Sequence, residues 1–421
     1  MQTTIFPSVT KGQINAIASK SVAHRLLICA AFADKSSTIE CAQTNDDIDA
    51  TINCLCALGA SITRNETFFE VTPIKPVSTK AVLPCSESGS TLRFILPICA
   101  MLGGEFTFDM KGRLPQRPLS PLKELLEENG ITFIRPTESQ LTIKGKLSAN
   151  TLEIAGNISS QFITGLLLAL TITGKEATLK ITKKLESAPY VEITLDALSQ
   201  FGVSVERTDD TFKILQNSTL TAPDDVRVEG DWSNAAFPLA LGIIGKSPIY
   251  VNRLSKNSKQ GDKEIINILK AFGGSVKECD DGYISEPSSL HGISVDASQI
   301  PDLIPIIATV ATVAKGQTVI YNASRLRLKE SDRLLSVSTV LTDLGADVTQ
   351  TEDGLIINGK DSLEGGCVSS FGDHRIAMSL SVASVVCKSN VILEGSEATQ
   401  KSYPSFWDDM RVLGLNFEQK H

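Results

Sequence analysis

Apolar residues recur along the chain in six stretches with the spacing of an amphipathic helix, and each stretch ends at a glycine. A glycine just after the last helical turn is a common C-cap, because it adopts a left-handed conformation without a Cβ penalty. The intervals between successive glycines are 71, 72, 71, 72 and 69 residues for Gly59, Gly130, Gly202, Gly273, Gly345 and Gly414. The pattern predicts six helices at a regular interval.

A second, more strongly apolar helix is predicted to begin about 40 residues before each glycine. Its first residue is small or acidic, as is common at helix starts. These starts are spaced by 70, 71, 71, 71 and 71 residues and lie at Ser19, Gly89, Ser160, Asp231, Asp302 and Asp373. The chain of 421 residues is therefore predicted to contain six copies of one unit, each with two helices.

Short alternating runs after the glycines, such as Val203-Ser204-Val205 and Ala346-Asp347-Val348, indicate strands that follow the helices. The unit is therefore of the α/β class. The chain has neither a GxGxxG nor a GxxxxGK[ST] loop, so a Rossmann or P-loop nucleotide site is not indicated. The repeat taken alone is also explained by helices that bury apolar faces in shared cores, without any functional content.

Composition narrows the choice of function. Apolar residues make up 42% of the chain and charged residues 21%, which is typical of a folded globular protein. The net charge of −8 argues against a nucleic-acid surface, which normally carries a basic excess. The longest apolar runs are well short of the roughly 20 residues that cross a bilayer. We expect no nucleic-acid or membrane partner.

The amino terminus and the cysteines favour a cytoplasmic location. The amino terminus has no basic segment followed by an apolar stretch, so no export signal is expected. The nine cysteines are scattered and form no CxxC pair, which is typical of reduced thiols. The four histidines lie far apart, so we expect no metal site.

The starts of the apolar helices carry cations and hydroxyls. A helix amino terminus already offers unpaired N–H groups and a partial positive charge, so added cations are costly there unless an anion binds. The segments concerned are Ser19-Lys20-Ser21 with Arg25, Ser88-Gly89-Ser90-Thr91 with Arg93, Ser159-Ser160-Gln161, Asp302, and Asp373-His374-Arg375. Each alone could be a simple helix cap, but five in register predict a site for small anions.

Three further polar clusters lie in apolar surroundings. They are the segments Arg113–Pro118, Arg325–Arg333 and Lys401–Pro404. The middle one could be a solvated helix with charged pairs four residues apart. Its four cations in nine residues instead favour ligands with several phosphate or carboxylate groups.

These motifs together resemble the EPSP synthase (3-phosphoshikimate 1-carboxyvinyltransferase) family of enolpyruvyl transferases, in order, in spacing and over the full length. The segments that carry the resemblance are Lys20–Arg25, Ser88–Arg93, Gln116–Pro118, Ser159–Phe162, Glu229–Asp231, Pro301–Asp302, Lys329–Arg333, Asp373–Met378 and Lys401–Pro404. KESDR and DHRIAM, taken with the first SKSxxxR, are specific to that family.

The resemblance implies a two-domain inside-out α/β barrel built from six repeats of a roughly 70-residue βαβαββ unit. It places a first domain at residues 15–227, which binds shikimate phosphate. A second domain, residues 1–14 with 228–421, would bind phosphoenolpyruvate and carry out proton transfer. The implied reaction moves the enolpyruvyl group of phosphoenolpyruvate to the 5-hydroxyl of 3-phosphoshikimate and releases phosphate. No cofactor is implied, and we expect a monomer.

The resemblance also implies roles for particular residues. The candidates for 3-phosphoshikimate are Lys20, Ser21, Arg25, Ser159, Ser160, Gln161, Ser187, Asp302 and Lys329. The candidates for phosphoenolpyruvate are Lys20, Gly89, Arg117, Gln161, Arg333, Arg375 and Lys401. The catalytic candidates are Asp302 as general base and Glu330 as proton donor, with Lys20 and His374 as neighbours that relay or tune the proton.

Two positions depart from the family pattern, since Glu87 stands where Asn is usual and Ile17-Ala18 where Pro-Gly is usual. Two other functions remain open. One is the sister enolpyruvyl transferase that acts on UDP-N-acetylglucosamine, but residues 103–118 lack the cysteine usual there and Ser21 follows Lys20 where Asn is usual. The other is a non-catalytic protein that binds small anions, which has no need for Asp302 and Glu330.

Overall fold

The computed structural model describes residues 1–420 and divides into two compact units. The first unit is Ala18–Val228. The second combines Met1–Ile17 with the chain from Glu229 onward. The second unit is therefore discontinuous in sequence, because the first unit is inserted into it.

The unit boundaries fall slightly later in the chain than the boundaries expected after residues 14 and 227. The strand Gly12–Asn15 explains the difference at the first boundary. It pairs in parallel with Ile249–Asn252, so its last residue, Asn15, belongs with the second unit.

Twelve α-helices lie in the part of the chain that the structure describes. In chain order α1 to α12 they are Lys20–Ala31, Asp46–Leu58, Gly89–Leu102, Leu122–Glu128, Ser160–Ile172, Ala188–Gln200, Trp232–Ile244, Ile265–Ala271, Ile304–Ala311, Arg333–Asp343, His374–Ala383 and Phe406–Val412. Short 3₁₀-helices lie at Leu114–Gln116, Gly261–Glu264, Pro301–Leu303, Ser324–Leu328, Ser384–Val386 and Ser396–Lys401. None of the helices within residues 1–420 has the length and apolar character needed to span a bilayer.

The strands are short and regularly placed. In chain order β1 to β24 they are Gln2–Ile5, Gly12–Asn15, Ser37–Glu40, Ser61–Arg64, Phe68–Thr72, Lys80–Ser86, Gly104–Met110, Thr132–Thr137, Gln140–Gly145, Thr151–Ala155, Ala177–Thr182, Val205–Thr208, Thr211–Ile214, Asp225–Arg227, Ile249–Asn252, Ser275–Cys279, Gly282–Glu286, Ser294–Asp296, Gln317–Tyr321, Asp347–Gln350, Leu355–Asn358, Gly366–Ser369, Val391–Glu394 and Phe417–Lys420. The order β6-α3-β7-α4-β8-β9 is one complete βαβαββ repeat, as expected.

The strands form six four-stranded sheets that share one pattern, in which one pair is parallel and the other two pairs are antiparallel. In the sheet β6-β7-β9-β8, for example, β7 runs parallel to β6 and antiparallel to β9. The first unit contains this sheet, β14-β3-β5-β4 and β10-β11-β13-β12. The second unit contains β16-β17-β15-β2, β18-β19-β21-β20 and β22-β23-β1-β24. The predicted sixfold repeat is confirmed.

Each unit has its own hydrophobic core, and the odd-numbered helices lie inside it. Every residue from Val22 to Ala31 of α1 is buried. Strands such as β10 instead bury alternate residues and so have one covered face. Helices inside and sheets outside make the inside-out α/β arrangement that was predicted. In the first unit α3 and α5 approach closely at Gly165, where a Cβ atom would lie 2.2 Å from the Arg93 carbonyl oxygen.

The six predicted C-cap glycines all have positive φ angles, from +78° at Gly202 to +116° at Gly59. Gly59 is the C-cap of α2, and each of the other five lies one residue after the C-cap of an even-numbered helix, where an L-residue would be strained. The even-numbered helices therefore end where the sequence predicts.

Candidate active site

The odd-numbered helices begin with the polar residues that the sequence singles out, and most of these residues cap the helix. A backbone N–H of the first turn donates a hydrogen bond to the side chains of Ser88, Ser159, Asp231 and Asp373. Ser19 holds the N-cap position of α1 without such a bond. Asp302 differs from the expectation, because it lies in the 3₁₀-helix Pro301–Leu303 and its carboxylate binds cations instead of capping α9.

In the first unit, the first turn of α1 presents Lys20 and Ser21. The Lys20 Nζ atom lies 2.8 Å from Asp47 Oδ2, and these side chains are only 16% and 8% exposed. The partial burial of this pair limits the freedom of the ammonium group. Asp47, which lies in the first turn of α2, was not predicted as a site residue.

Arg25 lies one turn further along α1 and is buried. Its guanidinium donates to Thr194 Oγ1 at 2.8 Å, to Thr164 Oγ1 at 3.2 Å and to the carbonyl oxygens of Ser21 and Tyr190. These acceptors are all neutral. Burial lowers the pKa of Arg25 to about 9, so it stays charged at neutral pH. A buried cation held only by neutral oxygens is suited to an incoming anion.

The guanidinium of Arg117 lies beside the start of α3. A Cβ atom on Gly89 would lie 2.6 Å from an Nη atom of Arg117, so the absence of a side chain lets the guanidinium lie against the first turn of the helix. Ser88 caps the same turn by accepting from the Thr91 N–H. The N–H groups of the turn and the guanidinium form one electropositive corner.

The start of α5 carries Gln161, whose amide orientation is fixed from both ends. Arg93 donates to its Oε1 at 2.6 Å, and its Nε2 donates to Ser90 Oγ at 2.9 Å. Ser159 caps the turn and Ser160 is buried in it. The sequence pattern marks Arg93 as a cation near a helix start but does not predict it as a site residue. The structure shows that it positions Gln161.

Ser187 takes the N-cap position of α6 in a left-handed backbone conformation, with φ of 54°. It is 2% exposed. The residues around Ser187 form no recognisable motif. The helix that begins after Ser187 is α6, which supplies Thr194 to Arg25.

In the second unit, Arg333 is the centre of the candidate site. It is 1% exposed and lies at the first position of α10. Its Nε donates to Asp373 Oδ2 at 2.8 Å, one Nη to Asp302 Oδ1 at 2.9 Å and the other Nη to Glu330 Oε2 at 2.8 Å. One guanidinium thus holds three carboxylates together, including both candidates for proton transfer. We call these four residues the Arg333 cluster.

Asp302 also binds two further cations. Its carboxylate accepts from Lys329 Nζ at 3.2 Å and from an Arg375 Nη at 3.3 Å. Burial favours the neutral acid, but Arg375, Lys329 and Arg333 together outweigh it and hold the pKa of Asp302 well below its usual range. Burial lowers the pKa of Lys329, although Asp302 opposes this change. Asp302 is therefore a carboxylate at neutral pH.

Asp373 anchors the cluster to the start of α11. It is fully buried, accepts from Arg333 and from Ser331 Oγ at 3.1 Å, and caps the helix through the Arg375 N–H at 2.9 Å. Burial raises its pKa, but Arg333 and His374 more than reverse this, so the pKa lies below the usual value. Asp373 was predicted as a helix start and not as a site residue.

The remaining candidates of the second unit are His374, at the start of α11, and Lys401, in a 3₁₀-helix. His374 is 1% exposed, and its Nδ1 lies 3.8 Å from Asp373 Oδ1. Lys401 ends the 3₁₀-helix Ser396–Lys401, and the next residue, Ser402, is buried and donates to Asn234 Oδ1 at 3.3 Å.

The alternative that Arg325–Arg333 is a solvated charged helix is wrong. The 3₁₀-helix ends at Leu328, α10 begins at Arg333, and Lys329 and Glu330 lie between them with side chains 24% and 16% exposed. Within residues 1–420 no group of His, Cys, Asp and Glu side chains is arranged to hold a metal ion. Within this segment Glu330 binds Arg333, and both Lys329 and Arg333 bind Asp302 from outside it.

Comparison with known proteins gives full-length matches. A sequence model described as EPSP synthase (3-phosphoshikimate 1-carboxyvinyltransferase) matches residues 7–410. A relative from Clostridium acetobutylicum, named 3-phosphoshikimate 1-carboxyvinyltransferase, is 42% identical over 97% of this chain and 96% of its own length. A relative of the same name from Clostridium kluyveri is 41% identical over 99% of this chain and 98% of its own length.

Solved structures share the fold. An EPSP synthase from Acinetobacter baumannii superimposes with a TM-score of 0.83 at 24% identity and covers 100% of both chains. The enolpyruvyl transferase NikO from Streptomyces tendae has a TM-score of 0.78 at 16% identity and covers 99% of this chain and 98% of its own. With the family match over most of the chain and relatives above 40% identity, this protein belongs to the EPSP synthase family.

Proposed function

We propose that this protein transfers the enolpyruvyl group of phosphoenolpyruvate to the 5-hydroxyl of 3-phosphoshikimate and releases phosphate. This reaction lies on the shikimate pathway to chorismate and the aromatic amino acids. The observation that carries the proposal is the Arg333 cluster, in which Asp302 and Glu330 bind the same guanidinium. A protein that only binds anions has no need for two carboxylates held in this way.

The proposed reaction has an addition and an elimination step. In the addition, the 5-hydroxyl oxygen bonds to C2 of phosphoenolpyruvate, the hydroxyl loses its proton, and C3 gains a proton to become a methyl group. In the elimination, C3 loses a proton, the bond from C2 to the phosphate oxygen breaks, and the double bond between C2 and C3 forms again. The products are the enolpyruvyl ether and inorganic phosphate.

Asp302 is proposed as the base that accepts the hydroxyl proton, and Glu330 as the group that exchanges a proton with C3. Three cations bind Asp302, which keeps it ionised but makes it a weak base. An anionic substrate that draws Arg375 or Lys329 away from Asp302 would raise its basicity. Substrate binding would thereby activate the base. Lys20 and His374 are proposed to relay or tune these protons.

The first unit is proposed to bind 3-phosphoshikimate through hydroxyls and cations at helix starts. Charge-assisted hydrogen bonds from such groups suit phosphate and carboxylate. The residues concerned are Lys20, Ser21, Arg25, Ser159, Ser160, Gln161 and Ser187. In the second unit, Asp302 and Lys329 are proposed for the same substrate.

Phosphoenolpyruvate is proposed to bind the electropositive corner of Gly89 and Arg117, together with Lys20 and Gln161. In the second unit its proposed partners are Arg333, Arg375 and Lys401. All three donor nitrogens of Arg333 bind carboxylates in this structure, so we propose that Arg333 acts first by holding Asp302 and Glu330.

We also propose that the protein is a cytoplasmic monomer without nucleic-acid or membrane partners. The acidic net charge of −8 supports the absence of a nucleic-acid partner.

The test is phosphate release from phosphoenolpyruvate by the purified protein. We expect release when 3-phosphoshikimate is added and none when UDP-N-acetylglucosamine is added. Release with the sugar nucleotide alone would assign the protein to the sister activity. Release with neither acceptor, together with binding of 3-phosphoshikimate, would leave only anion binding.

A further inference from the structure

Two consecutive residues of α1, His24 and Arg25, are linked by hydrogen bonds to two different pairs of buried threonines in the first unit. His24 bonds to Thr51 of α2, which in turn bonds to Thr91 of α3. Arg25 contacts a pair in α5 and α6. These two residues of α1 therefore bond directly to α2, α5 and α6, and reach α3 through Thr51.

The contacts of His24 form a continuous polar chain, which we call the histidine chain. His24 Nδ1 lies 2.7 Å from Thr51 Oγ1, and Thr51 Oγ1 lies 2.7 Å from Thr91 Oγ1. Thr91 Oγ1 lies 2.7 Å from Ser88 Oγ and 3.3 Å from the Asp47 carbonyl oxygen. His24, Thr51, Thr91 and Ser88 are each at most 1% exposed. The chain ends at the residue before Gly89 and at the residue that pairs with Lys20.

The contacts of Arg25 form a second set, which we call the arginine chain. Arg25 Nε donates to Thr194 Oγ1 at 2.8 Å, and Thr194 Oγ1 lies 2.8 Å from Thr164 Oγ1. The Tyr190 carbonyl oxygen accepts from Thr194 at 3.1 Å and from Arg25 at 2.9 Å. Both threonines are fully buried. This chain joins α1 to the helices that begin at Ser160 and directly after Ser187.

Both chains lie where water cannot replace a lost partner. A buried hydroxyl without a hydrogen bond is destabilising, so each member fixes the position of the next. Burial lowers the pKa of His24 to about 3, so the imidazole is neutral and acts through hydrogen bonding rather than charge. The packed helices can shift only slightly unless these bonds break.

We propose that the two chains position different halves of the substrate site, an inference that rests on the proposed function. The histidine chain sets the start of α3 at Gly89, where Arg117 lies, and so acts on phosphoenolpyruvate. The arginine chain sets Arg25 and the start of α6 at Ser187, and so acts on 3-phosphoshikimate. Thr51 is a positioning residue that acts through the first turn of α3 at Gly89. Thr194 is a positioning residue that acts through Arg25.

The test compares Thr51→Val with Thr194→Val, two substitutions that remove one buried hydroxyl each and keep nearly the same shape. Thr51→Val should raise the KM for phosphoenolpyruvate about tenfold and leave the KM for 3-phosphoshikimate within about twofold. Thr194→Val should give the reverse. Thr51→Ser and Thr194→Ser keep the hydroxyl and should restore both KM values to within about threefold of the unmodified protein.

A merely structural role would change both KM values together, or would lower kcat and thermal stability without a split between substrates. Either result overturns the inference, as does a failure of the serine variants to restore the affected KM. If the unmodified protein releases no phosphate with 3-phosphoshikimate, the proposed function is wrong and this inference fails with it. If the unmodified protein is active and the split is absent, the inference alone is wrong.

Discussion

Arg25 of the first unit and Arg333 of the second unit both lie within the first two turns of a helix, but their surroundings are opposite. Arg25 of the first unit donates only to hydroxyl and carbonyl oxygens, whereas Arg333 of the second unit donates to three carboxylates. Lys20 is an exception within the first unit, because it pairs with Asp47. A position near the amino-terminal end of a helix is common to both arginines.

The difference teaches how one repeat supports two kinds of chemistry. A cation that is held by neutral oxygens keeps its charge available for an incoming anion. A cation that is held by carboxylates instead fixes the positions of groups that can exchange protons. The first unit is therefore suited to binding and the second to proton transfer, although their sheets and helices follow one pattern.

The largest expected effect comes from removing the proposed base. Asp302→Asn keeps the size of the side chain but cannot accept the hydroxyl proton. We expect kcat to fall about a thousandfold while binding of 3-phosphoshikimate is retained. Steady-state kinetics and equilibrium binding measure the two quantities.

Asp332→Asn is a matched control for this change. Asp332 caps α10 and pairs with Arg327, and its side chain is 33% exposed. Its neutralisation should change kcat by less than about threefold, because an exposed pair contributes little and asparagine can still cap. An unchanged kcat in Asp302→Asn removes Asp302 from the proposed role.

The next effect concerns stability. Asp373→Asn removes the negative charge that binds Arg333 at the start of α11. The side chains of both residues are at most 1% exposed. We expect the free energy of unfolding to fall by about 3 kcal/mol, because a buried cation loses the most deeply buried of its three carboxylate partners. Glu364→Gln breaks the exposed pair with Lys388, where the side chains are 67% and 59% exposed, and should have almost no effect. Urea unfolding measures the free energy of unfolding of both variants. An equal loss in the two variants would contradict this prediction.

Acidification should affect the first unit before the second. His24 has a folded pKa of about 3 against an unfolded value near 6.5. Burial is the main cause, with Lys20 and Arg25 acting in the same direction and Asp47 opposing them. The unfolded chain therefore binds a proton that the folded protein rejects. The contribution of His24 to stability is complete above pH 6.5 and is lost as pH falls below it.

Between pH 6.5 and pH 5 this group should lower the free energy of unfolding by about 2 kcal/mol, since one proton corresponds to about 1.4 kcal/mol per pH unit. His24→Asn should lack this loss, because its amide can reach Thr51 but does not titrate. The depressed pKa values of Asp302 and Asp373 act only below about pH 4, where their unfolded forms gain protons. Urea unfolding of the unmodified protein and of His24→Asn at pH 7, 6 and 5 tests this expectation. If the free energy of unfolding falls equally with pH in both proteins, the expectation is wrong.

The parts of the fold that depend on local sequence could be predicted. The six glycines, such as Gly59, end helices because of backbone conformation, and Asp231 caps α7 because of its own side chain. Asp302 was misplaced at a helix N-cap, because Pro301 and three distant cations decide its local structure. Spacing alone does not contain that information.

The partners of the site residues could not be predicted for a related reason. Arg333 and Asp373 are 40 residues apart in sequence, and Arg25 and Thr194 are 169 apart. Which acceptor a buried arginine finds depends on how the helices pack. The sequence pattern indicated that cations gather at helix starts, but not whether carboxylates or hydroxyls would meet them.

The smallest effect tests a contact of this hidden kind, between Gly89 and Arg117. Gly89→Ala would place a Cβ atom 2.6 Å from a terminal nitrogen of Arg117, and a flexible guanidinium can move away at modest cost. We expect the KM for phosphoenolpyruvate to rise about fivefold, because the displaced cation leaves the electropositive corner. In the background of Arg117→Ala the same change should have almost no further effect, since nothing remains to be displaced. Equal effects in both backgrounds would show that the methyl group acts on the substrate directly and not through Arg117.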